Sequence, residues 1–509
     1  MGICRRLLTQ AGDVRLVSVW TLVLICLVWV GFLNLHAPSL GARMPVSSRF
    51  VVPASFPSAV FTESGLSLSE SAALTQVTAT STYTVSFPLI FTNFWREPDS
   101  IQGVQLYRDH PEQEAVLKAS QTGARWARLA FLWSEVEPAN TTPENYQWPT
   151  SFDDWLARLS AENINVILMV TGNPSWAAEY PGGPLRDGVP LAELVEFMEA
   201  AVAHYSPPPY NVKLWEFYNE PDNGDEQFAE DGWGYFGDTP DKYASLLQAV
   251  YAPMKAIDPE AQIVFGGLSY DWFTSEDGPF VREFLDGVLE NGGGSYFDLM
   301  NFHYYRVFRG RWEPYGVDII GKTNYLRDKL ASYDLDKPII CTETGFWSEN
   351  IGGGSPEEQS RYVPQVFARS MAAGLRIAIW FRLIDEEGLA ARKWGLLDTD
   401  LAPKPSYHAF QTLAQQLGLT EYVRTLSLAD TGTGAIEAYE FASRYGSDRI
   451  IVAWTEDGLD HQMELIGDQV VVVDKFGGQT PVWDSDDGAV DGRVRVNIGP
   501  SPVYLHVAH

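Results

Sequence analysis

The chain has 509 residues, which predicts one large domain together with a smaller accessory one. Hydrophobic residues make up 45% and charged residues 20%, an ordinary globular composition that argues against a disordered or wholly membrane-embedded chain. With 36 Lys and Arg against 66 Asp and Glu, the net charge is −30. The electrostatic field of so negative a chain repels polyanions, so we expect no nucleic acid partner.

An uncharged apolar run, Val17–Leu35, follows three arginines, Arg5, Arg6 and Arg15. Its length suits a bilayer crossing, and the arginines place its N-terminal side in the cytoplasm. No clean small-x-small cleavage site follows, which favours an uncleaved anchor over a removed signal peptide. We therefore predict a cytoplasmic tip and transmembrane anchor over residues 1–36. The part of the chain after residue 36 is then extracellular, either held at the cell membrane or, if the segment is cleaved, secreted.

Residues 37–86 are rich in Ser, Thr, Ala and Pro, which predicts a tether. Over residues 87–417, short apolar runs alternate with helical stretches, the pattern of parallel strands joined by crossover helices. We predict strands at Gln102–Leu106, Arg125–Phe131, Asn165–Val170, Lys213–Tyr218, Gln262–Gly266, Leu299–His303, Ile339–Thr342 and Arg376–Phe381. The helical stretches include Phe152–Glu162, Leu191–Tyr205, Tyr243–Ile257, Phe280–Glu290 and Glu357–Ala373.

Eight such units predict an α/β fold, a closed (β/α)8 or TIM barrel, with its active site at the C-terminal ends of the strands. After residue 417 the chain changes to Val-rich runs broken by glycines. Examples are Arg449–Trp454, Gln469–Val473 and Arg493–Ile498. Residues 418–509 are therefore predicted to form a small, β-sandwich-like domain of antiparallel strands.

Two of the predicted barrel strands end in a glutamate. Strand four leads into Asn219-Glu220-Pro221, and strand seven leads into Thr342-Glu343. By barrel logic both carboxylates lie on the catalytic face, where strands four and seven can face each other across the mouth. Cleavage of a glycosidic bond with retention needs two carboxylates about 5 Å apart, one protonated and one ionised. The pair Glu220 and Glu343 therefore predicts a retaining glycosidase.

Residues 100–415 resemble clan A of the glycoside hydrolases, and in particular its family 39 (beta-xylosidase) and family 5 (cellulase) branches. The resemblance implies Glu220 as acid/base, Glu343 as nucleophile and Asn219 as the amide that binds the sugar 2-hydroxyl. The segment Trp133–Pro138, followed by Tyr146 and Trp148, is similar to the region after strand two of that clan.

Further positions carry the resemblance to the same clan. His303 and Tyr305 resemble the His-x-Tyr pair beside the nucleophile, and Arg128 resembles the strand-two arginine that keeps it ionised. Trp380 resembles the strand-eight aromatic under the sugar, and Trp133 and Trp176 are candidates for sugar-stacking subsites. One departure is Thr171-Gly172-Asn173-Pro174-Ser175-Trp176 after strand three, where the cellulase branch often has His.

The surroundings predict unequal roles for the two carboxylates. Arg128 and the Tyr305 hydroxyl favour the Glu343 anion, whereas apolar neighbours raise the pKa of Glu220 and keep its proton. The chain has only 8 His and shows no ligand-spaced cluster, so we expect no metal and no cofactor.

The predicted function is retaining hydrolysis of a β-linked oligo- or polysaccharide. The alternatives are a membrane-tethered transglycosylase that uses the same two glutamates, and a carbohydrate-binding surface protein without catalysis. A binding protein is expected to have lost one carboxylate, whereas both are present here.

Overall fold

A computed structural model describes residues 98–230, 232–386 and 393–508, all of which belong to one compact unit. The predicted anchor and the predicted tether lie outside the described residues. Within the described part of the chain, no helix has both the length and the apolar character needed to cross a membrane.

The first sheet has eight parallel strands in the order β5-β4-β3-β2-β1-β8-β7-β6. They are β1 (Gln102–Gln105), β2 (Trp126–Leu132), β3 (Asn165–Thr171), β4 (Leu214–Phe217), β5 (Gln262–Val264), β6 (Met300–Tyr305), β7 (Ile339–Gly345) and β8 (Ala378–Trp380). Parallel bridges Val264↔Leu299 and Leu268↔Phe302 connect the two ends of this sheet, so it closes into a barrel. The predicted (β/α)8 architecture is confirmed, and every predicted strand is present with shifts of at most three residues at its ends.

The helices lie between the barrel strands or follow them. They are α1 (Glu112–Thr122), α2 (Trp133–Val136), α3 (Thr150–Ala161), α4 (Leu191–Tyr205), α5 (Glu226–Glu230), α6 (Pro240–Ile257), α7 (Phe284–Glu290), α8 (Arg309–Trp312), α9 (Asp318–Ala331), α10 (Pro356–Ala372), α11 (Pro405–Leu417) and α12 (Leu428–Thr431). The predicted start of α7 at Phe280 is wrong by four residues. Phe280 bridges Asn223, and the Val281 amide donates to the Asp222 carbonyl at 2.8 Å, so these two residues join the preceding loop.

The barrel interior is built in layers because alternate residues of each strand point inward. The apolar interior layer consists of Trp126, Ile167, Leu214, Val264, Leu299, Ile340, Ile377 and Ile379, all of them buried. Two residues further along four of these strands lie Arg128, Glu216, Asn301 and Thr342, which we call the polar interior layer. These four side chains are also buried and are joined by hydrogen bonds.

The C-terminal strands form antiparallel sheets, as predicted. They are β9 (Thr420–Thr425), β10 (Ile436–Ser443), β11 (Arg449–Thr455), β12 (His461–Ile466), β13 (Gln469–Asp474), β14 (Gln479–Trp483), β15 (Arg493–Ile498) and β16 (Val503–Ala508). Six of them form a sheet in the order β14-β13-β16-β11-β10-β9, and β12 pairs with β15. Met463 of β12 and Val496 of β15 share one apolar core with Leu505 of the larger sheet, which makes the domain sandwich-like.

The larger C-terminal sheet also packs on the barrel. Phe441 and Trp454 belong to the same apolar core as the barrel helices. Beside them, Arg369 of α10 donates to Glu437 and Glu456 at 2.6 Å each. The barrel and the small domain therefore share a core as well as ion pairs.

Candidate active site

Glu220 lies just past the end of β4 on a backbone that turns sharply. Tyr218 and Glu220 have positive φ angles of 65° and 47°, a left-handed conformation that side chains other than glycine rarely adopt. The Glu220 amide donates to the Gly267 carbonyl at 3.1 Å, which ties this turn to the loop after β5. Such local strain is typical of functional sites, where the surrounding structure maintains it.

Glu343 lies within β7, where the pairing with the neighbouring strand is irregular. The register between β6 and β7 shifts between Phe302 and His303, so that His303 stands opposite Glu343. A shift of this kind re-aims side chains toward a site. Glu343 Oε1 accepts from Arg128 Nη1 and Oε2 accepts from the Tyr305 hydroxyl, both at 2.7 Å.

The two glutamates meet at the mouth of the barrel, with His303 between them. Carboxylate oxygens of Glu220 and Glu343 and a ring nitrogen of His303 all lie within 4.8 Å of one another. His303 Nδ1 is 2.9 Å from Glu220 Oε1 and 3.6 Å from Glu343 Oε2. The histidine is therefore nearer to Glu220 than to Glu343, whereas the resemblance implied a position beside the nucleophile.

Arg128 connects the polar interior layer to the mouth. Its Nε and Nη2 donate to the two oxygens of Glu216 at 2.8 and 2.7 Å, while Nη1 reaches Glu343. The Nη2 atom also donates to Asn219 Oδ1 at 2.8 Å, which leaves the amide hydrogens of Asn219 for a ligand. Both Arg128 and Glu216 are buried, so the bidentate pair fixes the guanidinium in a single orientation.

No role was predicted from the sequence for Glu216, Asn301 or Thr342, the other members of the polar interior layer. Glu216 accepts from Asn301 Nδ2 and from the Gly267 amide, at 3.0 Å each, in addition to Arg128. The available signal was an acidic residue in the middle of an apolar strand, two positions after Leu214. A charge there costs stability unless it is paired, and so it indicates a partner inside the barrel.

Burial and neighbouring charge affect the two glutamates unequally. Burial raises the pKa of Glu220 well above the usual glutamate value, and the negative charges of Glu343 and Asp222 raise it further. Burial also raises the pKa of Glu343, but Arg128 and the Tyr305 hydroxyl oppose that rise. The net shift at Glu343 is thus upward, although its donors favour the anion as expected. The environment keeps the proton on Glu220 and the negative charge on Glu343.

His303 and Tyr305 are both buried next to these charges, which fixes their protonation states. Burial, reinforced by the positive charges of Arg128 and Lys322, lowers the pKa of His303 well below its usual value. Burial and the charge of Glu343 raise the pKa of Tyr305 well above its usual value. The imidazole is therefore neutral, and the phenol keeps the proton that it donates to Glu343.

One oxygen of the Glu220 carboxyl has no hydrogen-bond partner among the described residues. Oε2 is buried and unpaired, while Oε1 contacts His303. Buried polar atoms are nearly always paired, so an unpaired one at the mouth of a barrel requires an explanation. The raised pKa of Glu220 favours a protonated carboxyl, whose unpaired Oε2 can contact a substrate.

Two of the predicted sugar-stacking residues are fully buried. Trp380 donates through Nε1 to the Trp394 carbonyl at 3.2 Å, and Trp133 stacks on Phe197 with ring centroids 5.2 Å apart. Neither ring presents a face to a ligand, so these two assignments are wrong and both residues belong to the core.

The inward position at the end of β8 belongs to the next residue, Phe381, because side chains alternate along a strand. Phe381 is half-buried, and its ring meets those of Tyr305 and Tyr107 edge to face at 6.2 and 6.4 Å. Trp176, after β3, is also half-buried and donates to the Glu137 carbonyl at 3.2 Å. A subsite role for Trp176 remains a prediction.

The sequence predicted no metal, yet the described residues do bring together one group that could hold an ion, namely Glu220, His303 and Glu343. Both oxygens of Glu343 already accept from Arg128 and Tyr305. A cation bound here would lie next to the Arg128 guanidinium, and like charges at such short range repel strongly. The group fits a pair of reacting carboxylates better than a cation site.

Comparison with known proteins shows similarity of structure. No family model matches the sequence, and no curated protein matches it. A family 39 glycoside hydrolase from Bacteroides cellulosilyticus has a TM-score of 0.64 at 21% identity, with 81% of each chain covered. A GH30 endoxylanase from Clostridium papyrosolvens has a TM-score of 0.55 at 13% identity, covering 81% of this chain and 97% of its own.

An endo-β-1,6-glucanase has a TM-score of 0.56 at 12% identity and covers 84% of this chain and 96% of its own. These structures match most of the length of both chains at low sequence identity. At such identity the likeness establishes the fold and leaves the chemistry to the site itself. The chain therefore shares its fold, a (β/α)8 barrel with a β-domain, with glycoside hydrolases that include families 39 and 30.

Proposed function

We propose that this protein is a retaining glycoside hydrolase that cleaves β-linked O-glycosidic bonds by double displacement. The observation that carries the proposal is the close approach of two buried carboxylates, within 4.8 Å, in unequal surroundings. Retaining glycosidases hold such a pair about 5 Å apart, whereas inverting enzymes need a wider gap for a water molecule. The fold supports the proposal because its neighbours include an endoxylanase and an endo-β-1,6-glucanase.

In the first step, the Glu343 carboxylate attacks the anomeric carbon of the sugar. The bond from that carbon to the glycosidic oxygen breaks, and Glu220 gives its proton to the departing oxygen. Arg128 and Tyr305 contact the two Glu343 oxygens, so they hold the nucleophile in place and keep it ionised. The product of this step is a covalent glycosyl ester of Glu343 and a free alcohol.

In the second step, the Glu220 carboxylate takes a proton from water. The water oxygen attacks the anomeric carbon on the face that the alcohol left, and the bond to Glu343 breaks. Two inversions at the same carbon give net retention, and Glu220 regains its proton. His303, neutral and hydrogen-bonded to Glu220 Oε1, orients this carboxyl in both steps.

Asn219 and Phe381 are the proposed contacts to the sugar in the reacting subsite. The Asn219 oxygen is held by Arg128, so its amide group can donate to a hydroxyl next to the anomeric carbon. Phe381 offers a half-buried aromatic ring on the opposite side of the mouth, at the end of β8.

Membrane attachment through residues 17–35 belongs to the same proposal, and it rests on the sequence alone.

The direct test is a screen for reducing-sugar release from β-linked plant and microbial glycans, with and without an acceptor sugar. Glu220→Gln and Glu343→Gln serve as matched controls, since both keep the shape of the side chain. We expect release of sugar from one class of glycan by the wild type and none by Glu343→Gln. Equal release by the wild type and Glu343→Gln would contradict the proposal.

A further inference from the structure

Lys322 is a fully buried lysine that the reaction steps above do not use. It projects from α9, in the outer layer, into the wall of the barrel between the loop after β5 and the end of β6. A buried ammonium destabilises a fold unless its charge is paired and its hydrogens find acceptors. Here the Nζ atom donates to Asp271 Oδ2 and to the His303 carbonyl at 2.8 Å each, and also to the Ser269 carbonyl.

The His303 carbonyl is a meaningful target because it lies where β6 departs from regular pairing. The register to β7 shifts at this residue, and the His303 amide donates across to the Leu268 carbonyl at 2.8 Å. Lys322 thus binds the same backbone segment whose irregular course aims the His303 ring at Glu220. Lys322 contacts the backbone carbonyl of His303, and Glu220 contacts its side-chain ring.

The ring of His303 is confined from the other side by Gly267. A Cβ atom added at Gly267 would lie 2.1 Å from His303 Nε2 and 2.9 Å from Thr342 Oγ1. The absence of a side chain at this position lets the imidazole pack directly against the backbone. Nε2 is also 3.2 Å from Thr342 Oγ1, so the ring has a fixed plane.

The segment that Lys322 holds is connected back to Glu220. Asp222, which is buried two residues after Glu220, accepts from the Ser269 and Tyr270 amides at 3.2 and 2.8 Å. Asp271, next in the chain, accepts from Lys322. The Glu220 loop is therefore bonded to residues 269–271, and Lys322 links these residues to the His303 backbone. The His303 ring in turn contacts Glu220, so the hydrogen bonds form a ring of connected residues.

We propose that Lys322 is a positioning residue for acid–base catalysis, which acts by holding the His303 backbone and residues 269–271 so that the imidazole fixes the Glu220 carboxyl. The proposal rests on the proposed function, because it assigns Glu220 the proton transfers. A residue that positions the acid–base group then lies on an outer helix, behind the barrel wall. Asp271 is its counter-ion, and Gly267 supplies the opposing surface.

The test compares two double variants of the full chain. Lys322→Met with Asp271→Asn removes the pair without leaving a buried charge. The new amide oxygen can still accept from Trp312 Nε1, which donates to Asp271 at 2.6 Å in the wild type. The matched control is Lys213→Met with Asp258→Asn, a largely buried pair with a 2.7 Å contact at the opposite end of β4. Thermal unfolding is measured for both, so that the activities are compared between folded proteins.

The readout is how kcat/KM depends on the leaving group of the substrate. We expect the Lys322 double variant to lose about 100-fold in kcat/KM for an alkyl glycoside, which needs a proton from Glu220. For a dinitrophenyl glycoside, which needs none, we expect a loss of less than about threefold. The control pair should show no dependence on the leaving group. An equal loss on both substrates, or no loss on either, overturns the proposal.

Gly267→Ala provides a second route to the same displacement and covers the case in which the double variant fails to fold. It pushes the imidazole from the other side and should give the same dependence on the leaving group. A crystal structure of either variant should show the His303 Nδ1 to Glu220 Oε1 distance lengthened from 2.9 Å to beyond about 3.5 Å. An unchanged distance contradicts the proposal. If the wild type cleaves no glycoside, the proposed function fails and this distance alone decides the positioning role.

Discussion

The two interior layers of the barrel differ sharply although they are only two residues apart along the strands. The apolar layer, which includes Leu214 and Ile340, packs buried hydrophobic side chains against one another and forms its own cluster. The polar layer above it, which includes Glu216 and Thr342, consists of four side chains that are joined to one another by hydrogen bonds. The lower layer stabilises the barrel, whereas the upper layer accepts the desolvation of charges in order to hold Glu343 and Asn219 in position.

This contrast predicts that damage to the apolar layer and damage to the mouth, whose groups the polar layer holds, have opposite consequences. A truncation in the apolar layer should lower the free energy of unfolding and leave the chemistry intact, because no side chain there touches the reacting groups. A substitution at the mouth should abolish the chemistry with a smaller effect on stability.

The largest effect is expected for Glu343→Ala. Among the described residues no other group is positioned to form the covalent intermediate, so kcat should fall on the order of 10⁵-fold or more on every glycoside. Added azide can attack from the vacated face and give a glycosyl azide of inverted configuration, which NMR identifies. Residual turnover within tenfold of the wild type would mean that Glu343 is not the nucleophile.

Glu220→Ala should fail selectively. Alkyl glycosides need a proton on the departing oxygen and should lose about 10²- to 10⁴-fold in kcat/KM, whereas dinitrophenyl glycosides should react at nearly the wild-type rate in the first step. Azide should rescue this variant with retained configuration. A loss independent of the leaving group would exclude Glu220 as the proton donor.

Ile340→Ala tests the apolar layer on the same strand as Glu343, three residues earlier. Loss of a buried isoleucine side chain should lower the free energy of unfolding by about 2 to 5 kcal/mol, measured by denaturant titration. We expect kcat of the folded variant to stay within about twofold of the wild type. A large fall in kcat would show that the two layers are coupled.

The pH profile of kcat/KM should be bell-shaped, because activity requires ionised Glu343 and protonated Glu220. Burial raises the pKa of both groups, so the acidic limb should lie above the ordinary glutamate pKa of 4.5 and the basic limb higher still. Activity is lost below the first pKa as Glu343 gains a proton and above the second as Glu220 loses one. Glu220→Gln, assayed with a dinitrophenyl substrate, should lack the basic limb.

The smallest effect is expected from chelation. Arg128 lies against Glu343, so the group formed by Glu220, His303 and Glu343 should not hold a cation during turnover. Activity in EDTA should equal activity in buffer. A loss that Ca²⁺ or Zn²⁺ restores would identify this group as a metal site and require a different mechanism.

Much of the fold could be predicted from the sequence, because barrel strands that are buried on both faces read as continuous apolar runs. The eight strands and the positions of Glu220 and Glu343 at or near their ends follow from that signal. The start of α7 could not be predicted in this way, because Phe280 continues the apolar face of the helix in the sequence. Only its bridge to Asn223 in the folded protein assigns Phe280 to a loop.

The site was less accessible to sequence reasoning where it depends on which way a side chain points. Trp380 and Phe381 are neighbouring aromatic residues at the end of a short strand, and the sequence pattern does not show which of them points inward. Trp133 directly follows a strand, but its burial against Phe197 depends on the packing of α4. Lys322 lies on α9, and no sequence pattern links it to His303 in β6. Its contact with the His303 carbonyl results from the way the helix packs on the barrel. The hydrophobic periodicity of a sequence identifies the buried face of a helix or strand, but it does not identify the contacts between one helix or strand and another.

The stereochemistry of the first-formed product decides whether Glu220 and Glu343 act at close range in a double displacement. Proton NMR of a β-glycoside hydrolysis, recorded before the free sugar equilibrates, distinguishes the two anomers. The geometry predicts the β-anomer, because two inversions give retention. Initial release of the α-anomer would mean single displacement by water, and it would contradict the pairing of these two carboxylates.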